Sequence, residues 1–555
     1  MGSLRRIVRL ATVVIALPLA MACGAPPGPR AGAAPSPTAA PPSASEAVPT
    51  QRFASPTLSP ASFDDPQRKE RLVTAAPALA ALVKAEQEAQ KLPGLTVGVV
   101  VDGELVVHAA SGVRDVERSL PIERGTVFEI ASVTKTFTAA AVLALRDEGR
   151  LELDDPIARH LPALAGVVYP NRDDPPITIR HLLTHTSGLP MSGRFAYDAD
   201  RAPTAEEVLR SFDGLGLEAA PGERYAYSNV GFTVLALLVE RTGKAPFERF
   251  VTDRVLSPLK MSASGFAPDA AIRATGYERE KGELRVARSK KRGGAGGSGG
   301  LWSSMDELTR FVAFQLDAWP AGAGVESGPV RRSTRRESHT LQASRGLKVR
   351  RSEQATEAEA RGIGLGWQVY EDCTFDRVAW HNGRTAGFSS AIYLVPSRGV
   401  GVIVLANGEG DPDKVARGVL TKLSEAGALT ERTERASEAL LSAAKRAVEL
   451  RAAWDDAAHA KLFSPAHRAA APADKLRAYF ALSVQRHGAC RFERVLEVSA
   501  PGELVLGYAC DKGAIEVEIE GSPVGAVEIA KLKLVSRGID GAEPRREAPP
   551  PSKCR

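Results

Sequence analysis

Phe128-Glu129-Ile130-Ala131-Ser132-Val133-Thr134-Lys135-Thr136-Phe137-Thr138-Ala139-Ala140-Ala141-Val142-Leu143-Ala144-Leu145 is the stretch on which the reading of this chain turns. It sets a serine at the start of an apolar, alanine-rich helical pattern, with a lysine one turn along. A serine hydroxyl is a weak nucleophile at neutral pH and needs a base within hydrogen-bond reach. Positions i and i+3 share a helix face, so Ser132 and Lys135 can meet without help from a distant element. The unpaired N–H groups of a helix start also favour developing negative charge. The competing reading is a helix-capping serine followed by a surface lysine, and the rest of the chain has to decide.

Two later stretches bear on it. Tyr225-Ala226-Tyr227-Ser228-Asn229 contains a Tyr-x-Asn, in which a phenol near an ammonium is expected to have its pKa lowered and to shuttle protons. Asn229 offers an amide to hold both Lys135 and a substrate carbonyl. His381-Asn382-Gly383-Arg384-Thr385-Ala386-Gly387 reads as a strand ending in a glycine-rich turn. Gly383 lets backbone approach closely, and an N–H there would complete an oxyanion site with the N–H of Ser132. His381 is expected to hydrogen-bond Tyr227 and keep the site electropositive near neutral pH.

The architecture around these motifs is read from periodicity. Residues 64–91 are helix-like. Leu95–Val101 and Glu104–Ala109 flank Asp102-Gly103 as a hairpin. Residues 140–350 read as mostly helical, with Thr178 capping a short helix. Val378–His381, Ser389–Val395 and Val400–Ala406 return to strands. The predicted fold is α+β, an α/β sandwich: an antiparallel sheet of about five strands built from both ends of residues 63–425, flanked by helices, with an inserted all-helical part. Residues 426–555 read as a separate small α+β domain without a chemical motif, helical over 430–458 and stranded over 491–535.

The ends and the composition bound the function. Arg5, Arg6 and Arg9 precede an apolar run too short to span a membrane, so residues 1–23 read as an export signal. Leu19-Ala20-Met21-Ala22-Cys23 is similar to a bacterial lipobox, which makes Cys23 the candidate lipidation site and a lipid anchor the expected link to the membrane. Ordinary signal cleavage nearby is the alternative. Residues 24–62 are a Pro/Ala/Ser-rich tether. The net charge of +6 is diffuse. Its densest run, Arg331 to Arg351, has no interleaved aromatics, reads as an exposed loop or helix, and gives no ground for a nucleic-acid partner. Five cysteines show no zinc spacing; Cys490 with Cys510 is the expected bridge, Cys373 with Cys554 a poorer one. His181 and His185 have the i, i+4 spacing of zinc ligands but no following glutamate, and read as structural. Gly293–Gly300 lacks a phosphate-loop ending and reads as a mobile loop or linker.

Taken in order, Ser-x-x-Lys, Tyr-x-Asn and His-x-Gly resemble the serine β-lactamase and DD-peptidase superfamily, closest to its branch of class C β-lactamases, D-Ala-D-Ala carboxypeptidases and esterases. Thr178-Ile179-Arg180-His181-Leu182-Leu183-Thr184-His185-Thr186-Ser187-Gly188-Leu189-Pro190 and Gly299-Gly300-Leu301-Trp302-Ser303-Ser304-Met305-Asp306-Glu307-Leu308 extend the likeness across about residues 80–425. The resemblance implies an acylated nucleophile at Ser132, with Lys135 and Tyr227 as acid–base groups whose order is open. Asn229, His381, Asn382, Gly383 and the backbone N–H of Arg384 would bind substrate, with no metal and no cofactor. It implies an exported serine hydrolase of ester or amide substrates, such as a peptidoglycan stem peptide. A β-lactamase proper or a slow penicillin- or peptide-binding receptor is the alternative. His-Asn-Gly in place of Lys-Thr-Gly argues against efficient β-lactam hydrolysis.

Overall fold

The valine-rich strand Gly94–Val101 is buried along its whole length, so both of its faces must be covered. The computed structural model describes residues 61–193, 201–288, 292–321, 326, 328–351, 356–433, 435–500, 502–521 and 527–537. In it this strand lies inside a nine-stranded sheet. Leu120–Pro121, Glu104–Asp115 and Gly94–Val101 come from the N-terminal side. Val400–Ala406, Phe388–Val395, Asp376–Thr385, Gln368–Asp372, Thr356–Ile363 and Ala343–Arg351 follow in spatial order. Every neighbouring pair is antiparallel.

Strand alternation sorts the central residues onto two cores. Val97, Val99, Tyr393, Val402 and Val404 pack with Leu79 and Val83 of the helix Ala76–Ala89 and with Val415 and Val419 of the helix Pro412–Glu425. Ile392, Leu394, Ile403 and Leu405 face the other way, toward the helical residues inserted between the two sets of strands. The helix Thr134–Asp147 runs through this second core with every residue from Thr134 to Leu145 buried. There Phe137 stacks on Phe311 with ring centroids 3.9 Å apart. A helix apolar all round is stable only when enclosed, and here its neighbours include the equally buried helix Asn229–Gly243.

The sheet is larger than the five strands expected. Ala343–Arg351 and Thr356–Ile363 add a hairpin at one edge, and Gln368–Asp372 links it to the rest. The hairpin escaped the sequence reading because it is charged and Ser344 to Val349 are exposed. Lysine and arginine on an edge strand discourage pairing with other chains. Half of the basic run is therefore strand rather than loop or helix; Arg332, Arg335 and Arg336 do lie in a short helix. The stretch 140–350 likewise carries the hairpin Tyr277–Glu280 with Glu283–Val286.

Beyond residue 437 a further core is formed by Leu440, Phe463, Phe480, Leu506, Val517 and Ile519 among others. Four helices between Glu438 and His487 pack with a four-stranded antiparallel sheet. The expected bridge Cys490–Cys510 joins opposed positions of its first hairpin. Cys373 with Cys554, the signal, Cys23 and all but two residues of the tether fall on or involve positions outside the described residues. Of the tether, Ser62 exchanges backbone hydrogen bonds with Thr433.

Removal of the Phe137 ring leaves a cavity against Phe311 in a core without exposed relief. Phe137→Ala is expected to lower stability by about 3–5 kcal/mol, read from chemical denaturation. A loss below about 1 kcal/mol would show that the helix Thr134–Asp147 is not anchored through this stack.

Candidate active site

Ser132 stands in a short 3-10 turn, Ala131–Val133, that leads directly into the helix Thr134–Asp147. Ala131 before it adopts φ 45°, a left-handed conformation unusual for a residue with a side chain. The turn is tied to the sheet: Ser390 Oγ donates to the carbonyl of Ile130 at 2.8 Å. Ser132 itself is partly exposed, whereas Lys135 one turn on is completely buried.

Among the described residues Lys135 Nζ has three hydrogen-bond neighbours. It lies 2.8 Å from Asn229 Oδ1, 2.6 Å from the carbonyl of Ser298 and 3.2 Å from Ser132 Oγ. Burial, aided by the positive charge of Arg292, holds its pKa well below the usual lysine value. In the neutral amine two hydrogens serve the two acceptor-only oxygens, and the lone pair is left for the hydroxyl of Ser132. The Ser298 carbonyl comes from Gly293–Gly300, which is a packed 3-10 segment and not a linker. A side chain at Gly297 would strike Ala236 and the carbonyl of Phe232, so glycine is what allows this approach.

Tyr227 and Asn229 sit at the start of the helix Asn229–Gly243, capped by Ser228, whose Oγ accepts from Gly231 N at 2.9 Å. The expected lowering of the phenol pKa is reversed: desolvation raises it above 10, although a hydrogen bond with Ser132 opposes this. Lys135 Nζ approaches the face of the Tyr227 ring, 5.0 Å from its centroid.

The third motif departs furthest from expectation. His381, Asn382 and Gly383 lie within the strand Asp376–Thr385, and the turn comes later, between Thr385 and Phe388. Alternation then turns successive side chains to opposite faces. Asn382 bonds to Asp413 on the helix Pro412–Glu425, and Arg384 pairs with Asp411, so neither side chain reaches toward Ser132. His381 faces inward but is buried, and its pKa is pushed down to about 3, chiefly by desolvation. It is therefore neutral at physiological pH and supplies no cationic charge. Its Nδ1 donates to the carbonyl of Asn382 at 2.6 Å, which leaves Nε2 as a buried acceptor without a partner among the described residues. The hydrogen bond expected between His381 and Tyr227 is absent; their ring centroids are 6.5 Å apart.

Several contributors were not legible in sequence. Ser298 acts through a carbonyl, which carries no residue signature. Gln368 donates to Tyr225 Oη at 2.9 Å, and Arg345 stacks 4.2 Å from the Tyr225 ring centroid while donating to Gln368. The two histidines weighed against zinc have other employment. His181 completes a capping box with Thr178, and His185 packs against Tyr227.

A Cβ on Gly383 would come within 2.3 Å of the Ile130 carbonyl and 2.8 Å of Ser132 N. Gly383→Ala is thus expected to displace the Ser132 N–H and slow acylation of Ser132 by about a hundredfold or more, with the melting transition retained. Unchanged labelling by a covalent serine probe would refute this close approach.

Comparison with known proteins places the chain in a family. The family model described as Beta-lactamase matches residues 79–425, more than half of the chain. Protein flp of Staphylococcus aureus (strain MW2) is 29% identical over 329 residues, 58% of this chain and 61% of that protein, so the match spans less than two thirds of this relative's length. The uncharacterized protein MT1414 of Mycobacterium tuberculosis is 36% identical over 231 residues, 37% of this chain and 57% of its own. Among solved structures, the octameric penicillin-binding protein homologue from Pyrococcus abyssi superimposes with a TM-score of 0.52 at 22% identity, covering 81% of this chain and 91% of that one. With the family model spanning Ser132, Lys135, the Tyr-x-Asn and the His-x-Gly strand, the chain belongs to the Beta-lactamase family of the serine β-lactamase and DD-peptidase superfamily.

Proposed function

We propose that the protein is an exported serine hydrolase that cleaves ester or amide bonds through an acyl-enzyme on Ser132, with a peptide of the peptidoglycan-stem type as its substrate class. The observation that carries this reading is the coordination of Lys135: two acceptor-only oxygens engage its hydrogens and its third neighbour is the nucleophile. A neutral lysine so placed takes the Ser132 proton as the oxygen attacks the carbonyl. Tyr227, protonated at neutral pH and hydrogen-bonded to Ser132, donates a proton to the leaving group, and the proton held on Lys135 makes good the loss. The N–H groups of Ser132 and Arg384 receive the oxyanion. Water then releases the acyl group.

Peptide-like substrates are favoured by the strand that carries the third motif. Its neighbour Gln368–Asp372 pairs only with Asp376 to Trp380, so His381 to Thr385 have no strand partner on that side among the described residues. An extended peptide can add there through backbone hydrogen bonds. Similarity to a penicillin-binding protein homologue points the same way. Export, and membrane attachment through Cys23, belong to this proposal on sequence grounds.

The deciding experiment compares hydrolysis of a p-nitrophenyl ester, a chromogenic cephalosporin and a D-Ala-D-Ala peptide by the full chain, with Ser132→Ala as control. Ester and peptide turnover abolished in Ser132→Ala is expected; residual turnover in that variant would sink the assignment. Predominant cephalosporin turnover would instead make this a β-lactamase. The pH profile follows from the two shifted groups. Activity rises with pH as Lys135 loses its proton, through a pKa below 10.5, and falls only where Tyr227 ionises, above 10. An acid limb at the ordinary lysine value would exclude Lys135 as a neutral base.

A further inference from the structure

Tyr227 is held from behind by a segment that none of the roles above employ. Residues 184–191 run beside residues 222–229, and the two are joined by a ladder of hydrogen bonds. Gly222 N donates to Thr186 O at 2.7 Å, and Asn229 N donates to Met191 O at 3.1 Å. Ser228 Oγ donates to Pro190 O at 2.7 Å. The bonds on either side of Tyr227 both come from one residue. Ala226 N donates to the carbonyl of His185 at 2.8 Å, and Ser228 N donates to His185 Nδ1 at 3.1 Å.

Backbone conformation, ring position and tautomer of His185 all serve this grip. The residue adopts φ 53°, in the left-handed region. Its imidazole lies 4.4 Å from the Tyr227 ring, tilted by 34°, and is backed at 5.0 Å by Phe232. Because Nδ1 accepts a backbone N–H, the single ring hydrogen is on Nε2. That Nε2–H is buried without a hydrogen-bond partner among the described residues. A buried donor without an acceptor is destabilising, and a phenylalanine filling the same space would carry none. The presence of an imidazole here is therefore accounted for by its other nitrogen, which anchors the backbone N–H of Ser228.

We infer that His185 is a positioning residue for Tyr227, fixing the backbone on both sides of the phenol and seating its ring against the Lys135–Ser132 pair. This rests on the acyl-enzyme reading above. It adds a requirement for an acceptor at the Nδ1 position, and not merely for an aromatic filler.

The test uses three variants of the full chain. His185→Asn keeps an acceptor near the Nδ1 position and tolerates the left-handed backbone. His185→Phe keeps the ring and loses the acceptor, and His185→Ala loses both. Two readouts are taken: kcat and KM for the p-nitrophenyl ester, and the Tyr227 ring resonance in protein carrying 13C-labelled tyrosine, assigned by Tyr227→Phe. Phe and Ala are expected to lower kcat by about a hundredfold, the scale of a misplaced catalytic group, with KM within about twofold and a shifted or broadened Tyr227 signal. Asn is expected to recover most of kcat and the wild-type signal. A Phe variant with wild-type kcat and resonance would overturn the inference, as would an Asn variant no better than Phe. The resonance is read whether or not the wild type turns over the ester. An inactive wild type would thus count against the hydrolase reading, while the contrast between Asn and Phe would still decide this one.

Discussion

A lysine with no solvent exposure must have its nitrogen satisfied by the protein, and much of this molecule is arranged around that demand. Lys135 draws its partners from three separate places: the Ser132 turn, the start of the helix Asn229–Gly243 and the glycine-rich segment Gly293–Ser298. Each must hold its oxygen within hydrogen-bond distance of one atom. That fixes how closely the segments pack, and glycine at 297 is what permits the nearest approach. Burial then makes the amine neutral at a pH where a surface lysine is charged. The same desolvation leaves His381 uncharged in the same way, and acts in the opposite chemical sense on Tyr227, which keeps its proton. One physical cause thus leaves a buried amine without its extra proton and a buried phenol with its own.

The sheet supplies the other half of the cleft by presenting backbone. Gly383 lies so close to the Ser132 turn that a single Cβ would collide with it. The pairing of Gln368–Asp372 stops at Trp380, and among the described residues no strand pairs with the next residues on that side. The outward-facing members of the same strand, Asn382 and Arg384, are committed to Asp413 and Asp411 on the covering helix. A single run of residues therefore serves the site with its backbone and alternate side chains, and the fold with the others.

The segment 184–191 shows how a strongly patterned stretch can matter without touching the reacting atoms. Its carbonyls and the ring of His185 hold the segment that delivers Tyr227 and Asn229. The sequence reading treated these histidines as structural, which is accurate for His181 and its capping box. For His185 it overlooked the ring packed on Tyr227, because the partner lies more than forty positions away.

What the sequence by itself determined was local. The Ser-x-x-Lys turn, the Tyr-x-Asn before an apolar helix, the hairpin around Asp102-Gly103 and the cap at Thr178 depend on spacing along one element, and periodicity and capping chemistry report those directly. The bridge between Cys490 and Cys510 was legible for a similar reason, since its halves belong to one hairpin. Tertiary structure decided everything that depends on desolvation or on strand phase. It set the protonation of Lys135, Tyr227 and His381, the outward turn of Asn382 and Arg384, the Ser298 carbonyl and the polar edge hairpin that widened the sheet. A pKa follows from what surrounds a group after folding, a carbonyl has no residue identity, and a charged edge strand shows no apolar alternation, so none of these leaves a mark in the order of residues.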